Sequence, residues 1–307
     1  MTNKYLLVGH KLIQRISQST SVIYLKNNKK TISIAAILAF FVFVGYYLIN
    51  HPDIIQNILE IGYLSSFLLL IFYSGVLLTN FGIMYATILL CRKKLSIKNS
   101  LLLTIYSSLV NFFGPLQSGP AVRAVYLKTK IKLRIRDYTY AMLFYYFAFA
   151  ALNVSLLFIN TLPLLTLIGV ILAIAMTIIG TNKFGLRPLK KYVLYIFALT
   201  TIQILLMVVI YSIELNTINH SAGYSIMQTI VYTASANLSL FVSLTPGAIG
   251  FREAFLVMSG SLHNIPLNSI IASGVIDRAI YILFLVILFF VSSSLHLKQI
   301  FVRKHQS

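Results

Sequence analysis

Thr245-Pro246-Gly247-Ala248-Ile249-Gly250-Phe251-Arg252-Glu253-Ala254 interrupts an otherwise apolar stretch that runs from residue 226 to residue 263. Proline has no N–H to give to a helix and its ring clashes with the preceding turn, so a helix must stop here. Backbone groups freed at membrane depth are tolerated only where protein or a water-filled cavity satisfies them. The next helix would start near Gly250, presenting unpaired N–H groups and the positive end of its dipole, which favour an anion. Arg252 adds a planar, permanent charge suited to bidentate phosphate binding. A kinked structural helix, with Arg252 and Glu253 lining a protein contact, is the other reading of the same string.

A second interruption, Gly114-Pro115, divides the segment 100–122, and the two strings share features. Each has an apolar half-helix, a proline with a glycine four residues on (Pro115 and Gly119; Pro246 and Gly250), and an arginine opening the next helix, Arg123 or Arg252. Pro120 near the first turn suits a helix start. Arg123 leads into a basic segment, so it reads either as an anion ligand or as a topogenic charge.

The surroundings of both strings are those of a membrane protein. Hydrophobic residues make up 58% of the 307 and charged residues 10%, with a mean hydropathy of +0.87. A soluble domain carries about 25% charged residues, too many for this chain to match. Lys and Arg number 25 against 6 Asp and Glu, a balance that could point to nucleic acid. Twenty-three of the 25 cations, however, fall in five clusters between apolar spans: Lys4–Lys30, Arg92–Lys98, Arg123–Arg136, Lys183–Lys191 and Lys298–Lys304. That is the pattern of cytoplasmic loops under the positive-inside rule, and it leaves no basic face for nucleic acid.

Full spans are expected near 31–49, 63–90, 138–160, 162–181, 190–213 and 267–297, each about long enough for a hydrocarbon core of roughly 30 Å. Loops 50–60 and 214–225 carry acids but no Lys or Arg, which places them outside and both termini inside. Segment 100–122 has basic clusters on both sides, so both its ends belong to the cytoplasmic face. Segment 226–263 has both ends outside. The expected fold is therefore an all-α polytopic membrane protein with six full spans and two re-entrant broken-helix hairpins in inverted arrangement, a pattern that marks transporter substrate sites. Residues 1–30 form a basic cytoplasmic or interfacial segment, 31–297 one membrane domain, and 298–307 a short basic tail.

Asp277 and Arg278 lie about ten residues into the last span, and charges so placed are functional hypotheses by default. Adjacent residues point in different directions on a helix, so each needs a partner elsewhere: Glu253 for Arg278, and Arg252 or Arg123 for Asp277. A structural buried pair and a substrate role are both open for them. Tyr145, Tyr146 and Phe147 read as membrane packing or as a cavity lining. Cys91, the one cysteine, reads as a small apolar residue or as a palmitoylation site beside a basic loop. The six histidines show no pairs at spacings of three or four, and no catalytic string is present, so no metal, cofactor or catalytic residue is expected.

The two strings and the intramembrane Asp277-Arg278 resemble the flippase-like family that includes the transmembrane region of lysylphosphatidylglycerol synthase. The family's Pro-x-x-x-Gly element followed by Val-Arg-Ala is matched by Pro115, Gly119 and Val122-Arg123-Ala124. Its Pro-Gly-x-x-Gly-x-Arg-Glu-Ala element is matched without gaps by Pro246, Gly247, Gly250, Arg252, Glu253 and Ala254. Leu116-Gln117-Ser118 departs from the glycine-rich stretch the family often shows. The resemblance spans about 30–297 and implies a lipid-translocating membrane fold. The aminoacyltransferase domain of the synthases is not expected in the ten residues that follow, nor is lysine transfer.

The function expected is movement of a phosphate-bearing phospholipid or polyprenyl-linked sugar between leaflets of a prokaryotic plasma membrane. Arg252 and Arg123 would hold the headgroup, and Glu253, Asp277 and Arg278 would form the polar path. A membrane-embedded glycosyl- or acyltransferase, and a non-transporting scaffold for a partner glycosyltransferase, are the alternatives.

Overall fold

A computed structural model describes residues 61–113, 118–164, 169–171, 190–218, 223–242, 248 and 251–304, all within one compact unit, 54–307. The expected span 31–49, most of 162–181, the N-terminal segment, and the breaks themselves at Pro115, Pro246, Gly247 and Gly250 lie outside the described residues. Among the described residues the chain is helical, without strands. In chain order the helices are α1 Tyr63–Leu90, α2 Ile97–Phe113, α3 Gly119–Ile131, α4 Ile135–Leu157, α5 Lys190–Ile218, α6 Ile226–Ser239, α7 Phe251–Met258, α8 Gly260–His263 and α9 Leu267–Lys304.

Four of them are long and apolar enough to cross a membrane: α1, α4, Lys191–Thr217 of α5 and Leu267–Ser294 of α9. The protein is thus a multi-pass membrane protein. The other described helices are shorter, with 17 residues in α2, 13 in α3, 14 in α6 and 8 in α7. At 1.5 Å per residue even α2 reaches only about 25 Å, less than the roughly 30 Å core. Local chemistry sets several ends. Ser225 caps α6 by accepting from the Gln228 N–H, while the Gln228 side chain accepts from the Ser225 N–H. Lys128 and Lys130 sit in the last turn of α3, where cations complement the dipole.

In lipid, helices gain little from hiding apolar surface from one another, so close packing and interhelical hydrogen bonds hold the bundle. The α1–α5 contact shows this. Gly75 and Gly82 lie two turns apart on α1, and a Cβ at Gly82 would approach Leu199 Cδ1 to 2.6 Å. At Gly75 it would meet Leu206 Cδ1 at 3.1 Å. Around this contact a core of Leu69, Ile210, Leu215, Tyr232, Leu256 and Ile280 joins α1, α5, α6, α7 and α9. Leu64, Leu78, Leu194, Leu205 and Phe290 point outward, as lipid-facing residues do.

Contacts also sort the helix ends. Cys91, just after α1, has its Sγ 3.5 Å from the Asp137 carbonyl oxygen at the start of α4, and Leu90 packs with Val193 and Ile196 near the start of α5. The basic clusters at Arg92–Lys98, Lys128–Arg136 and Lys190–Lys191 therefore gather at one end of the bundle. At the other end the Tyr224 hydroxyl, before α6, lies 2.7 Å from Ser269 Oγ near the start of α9.

Two boundaries differ from expectation. The basic segment after Arg123 is helical as far as Ile131, because its lysines and arginine are good helix formers and nothing breaks the helix before Lys132, which adopts φ 52°. Helix α5 continues five residues past 213, taking in Glu214, which the sequence placed at the start of an outside loop. Glu214 is fully buried and meets hydroxyls of Tyr73 and Ser273, so its carboxyl does not need water.

Candidate functional site: a polar cavity between the broken segments

Helices α1 to α7 and α9 line a partly open cavity of about 250 Å³. Its wall is polar for a membrane interior: Asn80, Asn111, Gln203 and Asn237 contribute amides, and Tyr73, Tyr145, Tyr146, Tyr211 and Tyr281 contribute phenols. Arg123, Arg252 and Asp277 supply the charge. Tyr145 and Tyr146 thus line a cavity, whereas Phe147 points outward.

Arg252 sits in the first turn of α7 and is 5% exposed. It donates through Nη1 to Asp277 Oδ2 on α9 and rests its guanidinium over Tyr211, 4.9 Å from the ring centroid. Nε and Nη2 are buried and have no hydrogen-bond partner among the described residues. A buried, unmet donor is costly, and two of them belong here to a cation whose side chain lines the cavity, which suits it to receive an acceptor group. Asp277 also accepts from the Tyr73 hydroxyl, so one carboxylate orients both the arginine and the phenol.

Arg123 reaches the same cavity from α3, donating through Nε to Ser107 Oγ on α2 at 2.6 Å. Gly119 makes this possible. A Cβ there would lie 2.5 Å from the Ser107 carbonyl oxygen, so α3 can cross α2 this closely only with glycine. Gly119, at the start of α3, and Ala248, ahead of α7, also line the cavity. Arg123 lies on the half nearer the basic clusters, among Tyr138 and Tyr146, and Arg252 on the half nearer the other end, beside Glu214.

Glu253 and Arg278 do not line the cavity. Arg278 Nη2 donates to Glu253 Oε1 in a second ion pair, for which Gly274 leaves room: a Cβ there would meet Glu253 Oε1 at 3.1 Å. The neighbours Arg252 and Glu253 are thus cross-paired with the neighbours Asp277 and Arg278, fixing α7 on α9. Of the two partners considered for Asp277, Arg252 takes the position and Arg123 does not.

Sequence reasoning missed Tyr73, Glu214 and the amides of Asn80, Asn111, Gln203 and Asn237. Glu214 was findable. It is a third acid within apolar sequence, and Tyr211-Ser212-Ile213-Glu214-Leu215 contains no helix breaker. It adds a third carboxylate within the apolar helices to Glu253 and Asp277. Cys91 is half-buried, and burial, reinforced by Asp137, pushes its thiol up from 9.0 to about 12. No protein-family model, curated protein or solved structure matches the chain.

Proposed function

We propose that this protein moves a phosphate-bearing lipid, either a phospholipid or a polyprenyl-linked sugar, between the leaflets of a prokaryotic plasma membrane. The observation that carries the reading is the pair of arginines from the two interrupted segments facing one cavity, one of them with two buried donors unmet. Arginine in such a position binds phosphate through paired N–H groups. The volume, about 250 Å³, is near the lower end of small-molecule sites at roughly 300 Å³, so it suits a headgroup whose acyl chains stay in the bilayer.

In this reading α2–α3 and α6–α7 are re-entrant hairpins entering from opposite faces, within a six-span frame with both termini cytoplasmic. Arg123 receives the headgroup on the cytoplasmic half and Arg252 on the outer half. Between them phenols and amides replace the water that the headgroup gives up. This reading agrees with the resemblance of the two strings to flippase-like proteins such as the transmembrane region of lysylphosphatidylglycerol synthase. A transferase at the same site is disfavoured because Glu253 and Asp277, its candidate acid and base, are each held by an arginine.

The experiment is leaflet-resolved accessibility of labelled phosphatidylglycerol in reconstituted vesicles. The wild-type protein should equilibrate the label, and Arg123→Ala and Arg252→Ala should each slow it at equal protein levels. Unchanged rates in both variants would end the reading.

A further inference from the structure

Glu214 takes no part in the cavity wall, in either buried ion pair, or in the proposed headgroup path. It is fully buried on α5, four residues before the helix ends. The titratable or charged groups facing it are Tyr73 from α1, Tyr211 from its own helix, Tyr232 from α6, Arg252 from α7 and Asp277 from α9. Arg252 is committed to Asp277 and Arg278 to Glu253, so no ion pair among the described residues falls on Glu214. A carboxylate left in low dielectric without a paired cation is costly, and taking a proton removes the cost.

The hydrogen bonds say where that proton sits. Tyr73 Oη has one proton and touches two carboxyls, Asp277 Oδ1 at the closer approach and Glu214 Oε1 at 3.4 Å. Asp277 is the ionised partner of Arg252, so the Tyr73 proton goes to it. The Glu214 contact is then a hydrogen bond only if Glu214 is the donor. On the other side Tyr232 Oη lies 3.4 Å from Ser273 Oγ, which donates to Glu214 Oε2 at 3.3 Å. Every hydroxyl in the row is used once, in one direction: Tyr232 to Ser273 to Glu214, and Glu214 to Tyr73 to Asp277.

We infer that Glu214 is a proton-binding site in the membrane interior, and that Glu214, Tyr73 and Asp277 form a proton path into the cavity that couples anion movement at Arg252 to proton movement. An anion held at Arg252 Nε and Nη2 shares the cation that Nη1 presents to Asp277, and so weakens what keeps Asp277 ionised. Glu214 then passes its proton to Tyr73 Oη as Tyr73 passes its own to Asp277 Oδ1. Tyr73 is unchanged, Glu214 ends as the carboxylate, Asp277 ends as the neutral acid, and no electrons are exchanged. Glu214 regains a proton from the bundle end opposite the basic clusters, to which it is nearer. The coupling rests on the translocation reading; the proton site does not.

Infrared difference spectroscopy of the purified protein in lipid tests the site directly. At neutral pH the wild type should show a carboxylic-acid C=O stretch that shifts in deuterium oxide and that Glu214→Gln removes. Tyr73→Phe, which takes away the acceptor of the Glu214 proton, should move the band. Absence of the band, or its survival in Glu214→Gln, overturns the site; a band unmoved by Tyr73→Phe overturns the path, even where Glu214→Gln folds poorly. For the coupling, vesicles carrying labelled phosphatidylglycerol are given a pH gradient. Wild type should move the label away from equal leaflet occupancy and Tyr73→Phe should not respond. Equilibration indifferent to the gradient overturns the coupling alone, and no lipid movement by wild type overturns the translocation reading and the coupling while the infrared band still decides the proton site.

Discussion

Arg252 meets Asp277 through Nη1 and leaves Nε and Nη2 buried without partners. The side chain is thus anchored and incomplete at once. Asp277 and the Tyr211 ring hold the guanidinium in place, so an arriving anion finds donors already desolvated and oriented.

Stability and transport should separate at this pair. Arg252→Ala strands Asp277 as an uncompensated buried charge and should cost about 3–5 kcal/mol of stability. Adding Asp277→Asn should return most of it, as read by thermal unfolding in detergent. Lipid translocation should stay low in the double variant. Arg252→Lys should also be slow, by roughly tenfold or more, because an ammonium cannot reproduce the fork and a charged hydrogen bond contributes about 1.5–3 kcal/mol. Restored transport in the double variant would make Arg252 a structural cation only.

The neighbouring pair should behave in the opposite way. Glu253 and Arg278 face each other outside the cavity, so Arg278→Gln alone should destabilise, while Glu253→Gln with Arg278→Gln should recover both stability and translocation. A fully stable but inactive double variant would place the pair on the transport path.

Helix contact distances set a third expectation. Gly82→Val and Gly119→Ala should each lower the unfolding temperature. Valine at 82 must displace Leu199, and alanine at 119 meets backbone oxygen, which cannot move aside as a side chain can. Alanine at Gly260, where a Cβ meets nothing within 4 Å, is the matched control and should change little.

Cys91 should be nearly inert at pH 7. Reactivity follows the thiolate, and a thiol raised from 9.0 to about 12 has roughly 10³-fold less of it. Maleimide labelling of native protein should therefore be far slower than after unfolding; equal rates would contradict the burial.

Topology is tested in a Cys91→Ser background. A membrane-impermeant thiol reagent on intact cells should label Asn216→Cys and not Lys94→Cys or Lys128→Cys, all three sites being exposed. Labelling at Lys94 equal to that at Asn216 would invert or break the proposed arrangement.

The spans near 63–90, 138–160, 190–213 and 267–297 and the clustering of basic residues were legible in the sequence because their causes are local. A run of apolar side chains, a proline, or a group of lysines between spans acts through its own few residues. The rule that a buried charge needs an opposite one also pointed to Glu253 for Arg278 and to Arg252 or Arg123 for Asp277, and the structure chose Arg252. What tertiary structure alone decided is which helix ends meet and at what rotation. Only the packing of α5 against α1 and α9 turns Glu214 from a loop acid into a buried carboxyl between Tyr73 and Ser273. Only the crossing of α2 and α3 at Gly119 carries Arg123 into the cavity of Arg252. These relationships join residues up to 141 positions apart, and no property of one segment fixes the register of another.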